Sequence, residues 1–306
     1  MLNILKQKFN TLSKWGMKDL LKVRTMISKE EKFSQSKEIL NYYKIYKEKT
    51  KNKLPCYNLS ILIPTRNEKY IKSIVSELVK LLKNSTEIKF EIIILNNFNP
   101  EIKRNIFEPK PDISIINCNF PFNFSKINNL GVKSSKYDVL WFLNDDIRLD
   151  HFSIKNLLSM LNIVHEPKVG AVGNILLYPD GRIQHGGVSQ RYWVGGVHIF
   201  RFQDPKDLKS LSNIWIKDNH AVDAVTGASL MIEKNKFLQV GGFNEELPVD
   251  FNDVQLCINL KKSNLIQVVH SSKLLHLESA SRNKVNDSIK EENFVRAAKL
   301  LMRKTN

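Results

Sequence analysis

The sequence predicts an α/β domain built on a doubly wound, mostly parallel sheet, and three observations carry that expectation. Short apolar runs alternate with stretches of helical period from residue 56 onward, the runs read as buried strands, and several of them end abruptly in polar residues. Residues 58–64 (NLSILIP) form the first strand. Ile71, Ile74, Val75, Leu78, Leu81 and Leu82 then share one helical face, and residues 90–95 (FEIIIL) form the second strand. Residues 113–117 and 138–143 (DVLWFL) are two further strands, separated by a segment that Ser125 would N-cap as a helix. Strand, helix and strand in this order imply right-handed crossovers. Residues 249–262 follow as a helix with Asp253 in its first turn, and 274–277 as an apolar, strand-like run holding His276.

Upstream, Leu2, Leu5, Phe9, Leu12, Leu20, Val23 and Ile27 recur at three- to four-residue spacing, with Lys and Arg between them. This is a basic amphipathic helix, which either lies on anionic lipid, helped by Phe9 and Trp15, or packs on the domain with a solvated basic face. A Lys-rich linker over residues 44–53 leads to Pro55 and the main domain.

The chain of 306 residues carries a net charge of +16. Residues 1–55 account for +9 of it and residues 282–306 for +4, which leaves +3 for the segment between. A domain that reads a nucleic-acid backbone spreads Lys and Arg over its folded surface, so nucleic acid is not the expected partner. Cys56, Cys118 and Cys257 are too few and too far apart for a CxxC metal site or a disulfide framework, which fits a reducing cytoplasm. No run approaches 18 apolar residues, and the Lys-studded start lacks the apolar core of a signal peptide.

In open α/β sheets ligands bind beyond the carboxyl ends of the strands. Those ends read Pro64-Thr65-Arg66-Asn67-Glu68, Asn96-Asn97 and Asn144-Asp145-Asp146. Neither GxGxxG after the first strand nor GxxxxGK[ST] occurs, which argues against a dinucleotide enzyme and a P-loop NTPase. Two carboxylates at the rim of a buried strand suit a hard divalent cation that in turn binds nucleotide phosphates, or else they cap the following turn.

Taken together, residues 60–67 (SILIPTRN), 122–129 (FNFSKINN), 142–146 (FLNDD), 177–181 (LYPDG), 225–228 (VTGA), 241–243 (GGF), 251–253 (FND) and 276–282 (HLESASR) resemble the family-2 glycosyltransferases of GT-A fold. Within that family the likeness is to the bacterial branch that builds O-antigen, rhamnan and related surface polysaccharides. Charge and spacing set off a basic helical extension over 1–55 and a basic helical tail over 282–306, and the resemblance, which runs from about Leu59 to Arg282, implies a GT-A domain over 56–281. It implies an inverting, metal-dependent transfer of a sugar, rhamnose among the candidates, from a dTDP- or UDP-linked donor to a glycan or lipid-linked acceptor. Pro64, Thr65, Arg66, Asn67 and Glu68 correspond to the first nucleotide-binding loop, and Asn96 and Asn97 to the second, where the family more often has an acidic residue. Asn129 and Asp145 are implied on the nucleotide-sugar, and Asp146 and His276 on Mn²⁺ or Mg²⁺. Asp253 is implied as the general base, which nearby helix N-terminal donors would keep ionised. Thr226, Gly227, Glu278, Ser279 and Arg282 would line the acceptor side or a closing loop, and His185 in the QHGG run would shape the same side. Without the resemblance, Asp253 also reads as an ordinary first-turn Asp, and His276 as a hydrogen-bonded core residue. Asn at 96 and 144 opens a second reading, a catalytically inactive scaffold that binds nucleotide-sugar in a glycan-assembly complex. The charge of the N-terminal segment predicts a cytoplasmic enzyme held at the inner face of the plasma membrane.

Overall fold

The computed structural model describes residues 17–36, 38, 43–47, 56–97, 112–192, 195–205 and 217–277. Its frame is one large sheet with strand order β10 (His220–Val222), β12 (Ile266–His276), β6 (Val169–Leu177), β11 (Ser229–Glu233), β4 (Val139–Leu143), β1 (Tyr57–Thr65), β2 (Ile88–Asn96) and β3 (Ile113–Asn117). The first half is parallel: β1 (Tyr57–Thr65) lies between β2 (Ile88–Asn96) and β4 (Val139–Leu143), and β3 (Ile113–Asn117) pairs with β2 at the edge. These strands form because their runs are apolar on both faces. Leu59, Ile61 and Ile63 of β1 enter one core with Trp141 and Leu143, whereas Leu62 enters the other with Phe142 and Leu95.

Helices cover both faces. On one, α2 (Glu68–Leu82) buries Ile71, Ile74, Val75, Leu78 and Leu82, the stripe expected from the sequence. On the other lies α3 (Phe124–Ser134), whose N-cap is Asn123, its side chain accepting from Lys126 N. The expectation that Ser125 caps α3 is corrected, since the helix begins one residue before it. Ser125 instead donates its hydroxyl proton to Leu247 O across 2.7 Å.

After β4 the chain makes β5 (Ile147–Arg148) and α4 (Ile154–Val164) and returns as β6 (Val169–Leu177). Then come β7 (Ile183–His185), the small pair β8 (Val188–Ser189) and β9 (Val197–His198), β10 (His220–Val222) and β11 (Ser229–Glu233). α5 (Lys234–Gln239), α6 (Asn252–Lys262) and the long β12 (Ile266–His276) complete the described chain. β11 runs antiparallel between β4 and β6, and β12 runs parallel to β6, so a parallel half and a mixed half share one sheet.

α1 (Met17–Ser34) packs on the mixed half through its C-terminal turns. Ile27, Glu30, Phe33 and Ser34 are buried, while Arg24, Lys29 and Lys32 face solvent. Phe33 meets Tyr192 edge-on at 5.7 Å, and Glu30 accepts from Ser189 Oγ and Tyr192 N. Over these turns the helix packs on the domain rather than standing clear of it. Residues 43–47 are likewise no loose linker, because Tyr46 N bonds to Asn219 O at 2.6 Å and Ala221 N to Lys44 O at 3.2 Å. Leu2, Leu5, Phe9, Leu12, Trp15, Pro55, Glu278, Ser279, Arg282 and the tail lie outside the described residues.

Candidate functional site

The sheet order reverses where β1 has β2 on one side and β4 on the other, and the ends of β1 and β4 open there. Thr65 closes the gap, donating its hydroxyl proton to Asp145 Oδ2 at 2.6 Å. Asp145 is 5% exposed, and burial raises its pKa to about 7, with the charge of Asp146 adding to the rise. The bonds from Thr65 and from the Arg66 backbone pull the other way and lose.

Asp146 and His276 are far apart in sequence and meet through strand pairing. β5 runs antiparallel to the end of β12, setting Ile147 opposite His276, and Leu277 N bonds to Asp146 O at 3.1 Å. His276 Nε2 then lies 3.0 Å from Asp146 Oδ1. Its other nitrogen, Nδ1, faces Gln184 Oε1, which can only accept, so the proton sits on Nδ1. In the neutral form this tautomer turns the Nε2 lone pair toward a carboxylate oxygen, a pair able to flank a cation, whereas in the charged form Nε2–H donates to Asp146 directly. An imidazole nitrogen and a carboxylate oxygen suit Mn²⁺ or Mg²⁺ when substrate phosphates and water complete the shell. Among the described residues no cluster of three or more ligating side chains occurs, so the protein itself offers this pair.

Asp253 stands across the same cleft in the first turn of α6, after Phe251 in the left-handed region at φ 65°. Its Oδ2 accepts from Gly227 N at 2.9 Å and its Oδ1 from Val254 N at 2.7 Å. A Cβ on Gly227 would lie a tight 3.3 Å from the Phe124 ring and an ordinary 3.6 Å from Asp253 Cβ. The expected lowering of the Asp253 pKa by helix donors is corrected. Burial outweighs the backbone donors and raises it above the usual carboxylate value.

Pro64, Thr65, Arg66, Asp145, Asp146, Thr226, Gly227, Asp253 and His276 all line one cleft. Other expected residues sit elsewhere. Asn67 N-caps α2, accepting from Lys69 N and Tyr70 N, and Glu68 pairs with Lys72 at 2.6 Å on the surface. Asn96 is buried and donates to Asn117 Oδ1 at 2.9 Å, while Asn97 donates to Cys118 O and Phe120 O. Asn129 bridges α3 to the glycine turn, donating to Phe243 O at 2.9 Å and accepting from Phe243 N at 3.1 Å.

The cleft also contains residues that sequence reasoning gave no place in the metal or donor site: Gln184, His185, His198, Arg201 and Phe122. His185 is fully buried, its Nδ1 2.8 Å from His198 Nδ1. Burial, aided by the positive charges of His276 and Arg201, lowers its pKa to about 3, so it is neutral. The available signal was a polar Gln-His pair directly after an apolar residue, with Gly187 at φ 105° turning the chain beyond it. His198 ends the two-residue strand β9 and Arg201 lies in irregular backbone beyond it, with Phe200 and Phe202 at φ 55° and 70°, too short a pattern for any periodicity to read.

The model of the family described as Glycosyl transferase family 2 matches residues 60–230. Uncharacterized protein y4gI of Sinorhizobium fredii is 31% identical over 80% of this chain, and O-antigen biosynthesis protein RfbC of Myxococcus xanthus 28% identical over 77%. This chain spans only 27% and 18% of their lengths. Rhamnosyltransferase WbbL of Escherichia coli is 24% identical over 65% of this chain and 75% of its own length. Among solved structures, GalNAc-T7 with UDP, GalNAc and Mn²⁺ superposes with a TM-score of 0.54 at 11% identity, covering 74% of this chain and 45% of that one. The mannosyltransferase PcManGT of Pyrobaculum calidifontis with GDP-Man and Mn²⁺ gives 0.51 at 11% identity, covering 74% and 59%. The superpositions establish the fold as GT-A, and with the family model they close the question raised by the strand ends: the chain belongs to glycosyl transferase family 2.

Proposed function

We propose that the protein is an inverting, divalent-metal-dependent glycosyltransferase that moves a sugar, rhamnose first among the candidates, from a nucleotide-diphospho-sugar to a glycan or lipid-linked acceptor of a surface polysaccharide. The observation that carries this reading is the joint presence, in one cleft at the sheet's switch point, of the Asp146–His276 pair and the buried Asp253. The relatives named for O-antigen biosynthesis and rhamnosyl transfer support the acceptor and donor classes.

Asp146 and His276 would hold Mn²⁺ or Mg²⁺, which when bound supplies charge neutralisation for a departing nucleoside diphosphate. Asp145, fixed by Thr65, faces the nucleotide side, and Arg66 adds a cation there. Asp253 accepts the proton of the acceptor hydroxyl. The hydroxyl oxygen bonds to the anomeric carbon as the carbon–oxygen bond to the diphosphate breaks, its electron pair leaving with the diphosphate. A raised pKa makes Asp253 the stronger proton acceptor, and the Gly227 and Val254 amides hold its two oxygens in place. Attack from the face opposite the leaving group inverts the anomeric centre, and no enzyme nucleophile is required.

The basic N-terminal segment would hold the enzyme at an anionic membrane where lipid-linked acceptors reside, with Arg24, Lys29 and Lys32 on the outer side of α1. No described helix is long and apolar enough to cross a membrane.

The test is transfer from a panel of UDP- and dTDP-sugars with Mn²⁺. Asp253→Asn is expected to lower kcat by about 10²–10⁴-fold while nucleotide-sugar affinity is kept, and Asp146→Ala to abolish Mn²⁺ binding and transfer together. Product of retained anomeric configuration would refute the mechanism. A wild-type protein that binds nucleotide-sugar yet never transfers it would be the scaffold instead.

A further inference from the structure

Between β6 and β7 the antiparallel register slips by one residue: Leu177 pairs with Ile183, but Leu176 pairs with His185. Gln184 is the extra residue of a β-bulge. A bulge breaks the alternation of a strand, and here two consecutive side chains, Gln184 and His185, both reach the cleft. They are 5% and 0% exposed.

The two side chains are only half satisfied. Gln184 Oε1 receives the Nδ1 proton of His276, but its amide nitrogen, Nε2, is buried with no hydrogen-bond partner among the described residues. His185 uses Nδ1 on His198, and its Nε2 is likewise buried without a partner among the described residues. Buried polar atoms are rarely left without a partner. Two of them from adjacent residues, in the wall of a ligand cleft and one residue removed from the metal pair, indicate groups whose partners arrive with the substrate.

We propose that the bulged Gln184-His185 pair is a hydroxyl-recognition subsite for a sugar bound beside Asp146 and His276, in which Gln184 also acts as the positioning residue that fixes the tautomer of His276. The proposal rests on the glycosyltransferase reading and deepens it. Gln184 does two things with one amide: its oxygen holds the Nδ1 proton, keeping the Nε2 lone pair of His276 toward the cation position, and its NH₂ donates to a sugar oxygen. His185 supplies the second contact through Nε2. The hydroxyl belongs either to the donor sugar or to the acceptor, and the binding measurements separate the two.

Three variants of the full chain divide these roles. Gln184→Met removes both amide functions and is expected to weaken Mn²⁺ binding, followed by electron paramagnetic resonance, by about tenfold to a hundredfold. Gln184→Glu keeps an acceptor for the Nδ1 proton and is expected to restore Mn²⁺ affinity to within a few-fold of wild type. It still lacks the NH₂ and shares the loss of sugar affinity. His185→Phe fills the volume and leaves the affinities for Mn²⁺, UDP and dTDP unchanged. It lowers the affinity for the nucleotide-sugar about tenfold if the donor sugar is read, or raises acceptor KM by that factor at unchanged donor affinity if the acceptor is read. The tautomer is read independently on the metal-free protein, where ¹⁵N resonances of His276 should show a protonated Nδ1 in wild type and Gln184→Glu and a mixed tautomer in Gln184→Met. Wild-type Mn²⁺ affinity and an unchanged His276 spectrum in Gln184→Met would overturn the positioning role. Unchanged donor affinity and acceptor KM in both His185→Phe and Gln184→Glu would overturn the subsite. A wild-type protein that binds no nucleotide-sugar would instead sink the glycosyltransferase reading, leaving the tautomer result to stand by itself.

Discussion

The parallel half of the sheet and the mixed half reach the same cleft by different means. In β1 and β4 the functional groups sit at or within a few residues past the end of a buried strand, Thr65 and Arg66 on one and Asp145 and Asp146 on the other. In the mixed half His276 also ends a strand, but each functional group there depends on a further local device. His276 is placed by a short antiparallel pairing with β5, Gln184 and His185 by a bulge, and Asp253 by a left-handed residue ahead of α6. The parallel half therefore fixes its part of the site by topology alone, whereas the mixed half adds local irregularities to the strand order.

That contrast can be broken most forcefully at the seam. Phe142 is fully buried at the end of β4, its ring 5.0 Å from Phe243 and 5.2 Å from Phe237 of the mixed half. Phe142→Ala is expected to cost about 3–5 kcal/mol in chemical denaturation. A loss below about 1 kcal/mol would mean that the halves do not depend on this contact.

The halves also titrate in opposite senses. Asp145 has its pKa raised to about 7, so its stabilising contribution is complete below the ordinary value and is lost as pH rises to 7, at most on the order of 4 kcal/mol. In the mixed half burial lowers His270 to about 4, so its contribution is present above the ordinary value and lost as pH falls toward 4, by roughly 3 kcal/mol. For the metal-free protein, Asp145→Asn should steepen the rise of Tm between pH 5 and 7, and His270→Gln should flatten it. Identical slopes in the two variants would sink the assignment.

The smallest effect tests a residue that joins the halves. Asn129→Ala removes two hydrogen bonds to Phe243 and is expected to cost about 1–2 kcal/mol with nucleotide-sugar affinity unchanged. A selective loss of that affinity would place Asn129 in the donor site.

The same contrast explains what was legible in the sequence. Apolar runs flagged β1, β2, β3 and β4, and the rule about strand ends led directly to Thr65 and Asp145. Asp253 was legible as a first-turn residue, but its raised pKa was not, because burial depends on Phe124 and Gly227 arriving from elsewhere. Asn123 and Ser125 are both good capping residues, and tertiary contact with Leu247 decides between them. The Gln184 bulge has no sequence signature at all, since a one-residue slip becomes visible only against its partner strand. The basic stripe of α1 was plain, yet the acid buried within it, Glu30, announced nothing until Ser189 and Tyr192 supplied its donors.

The pairing of β5 with β12 has a consequence for the order of events during synthesis. Asp146 and His276 are 130 positions apart, so closing that contact requires nearly the whole sheet to be assembled first. A nascent chain can complete β1 through β4, and with them the strand ends at the switch point, long before β12 has left the ribosome. It cannot present the Asp146–His276 pair until then. Formation of the Asp146–His276 pair thus reports completion of the described sheet, and under the proposed function a half-made chain would hold no cation and consume no activated sugar.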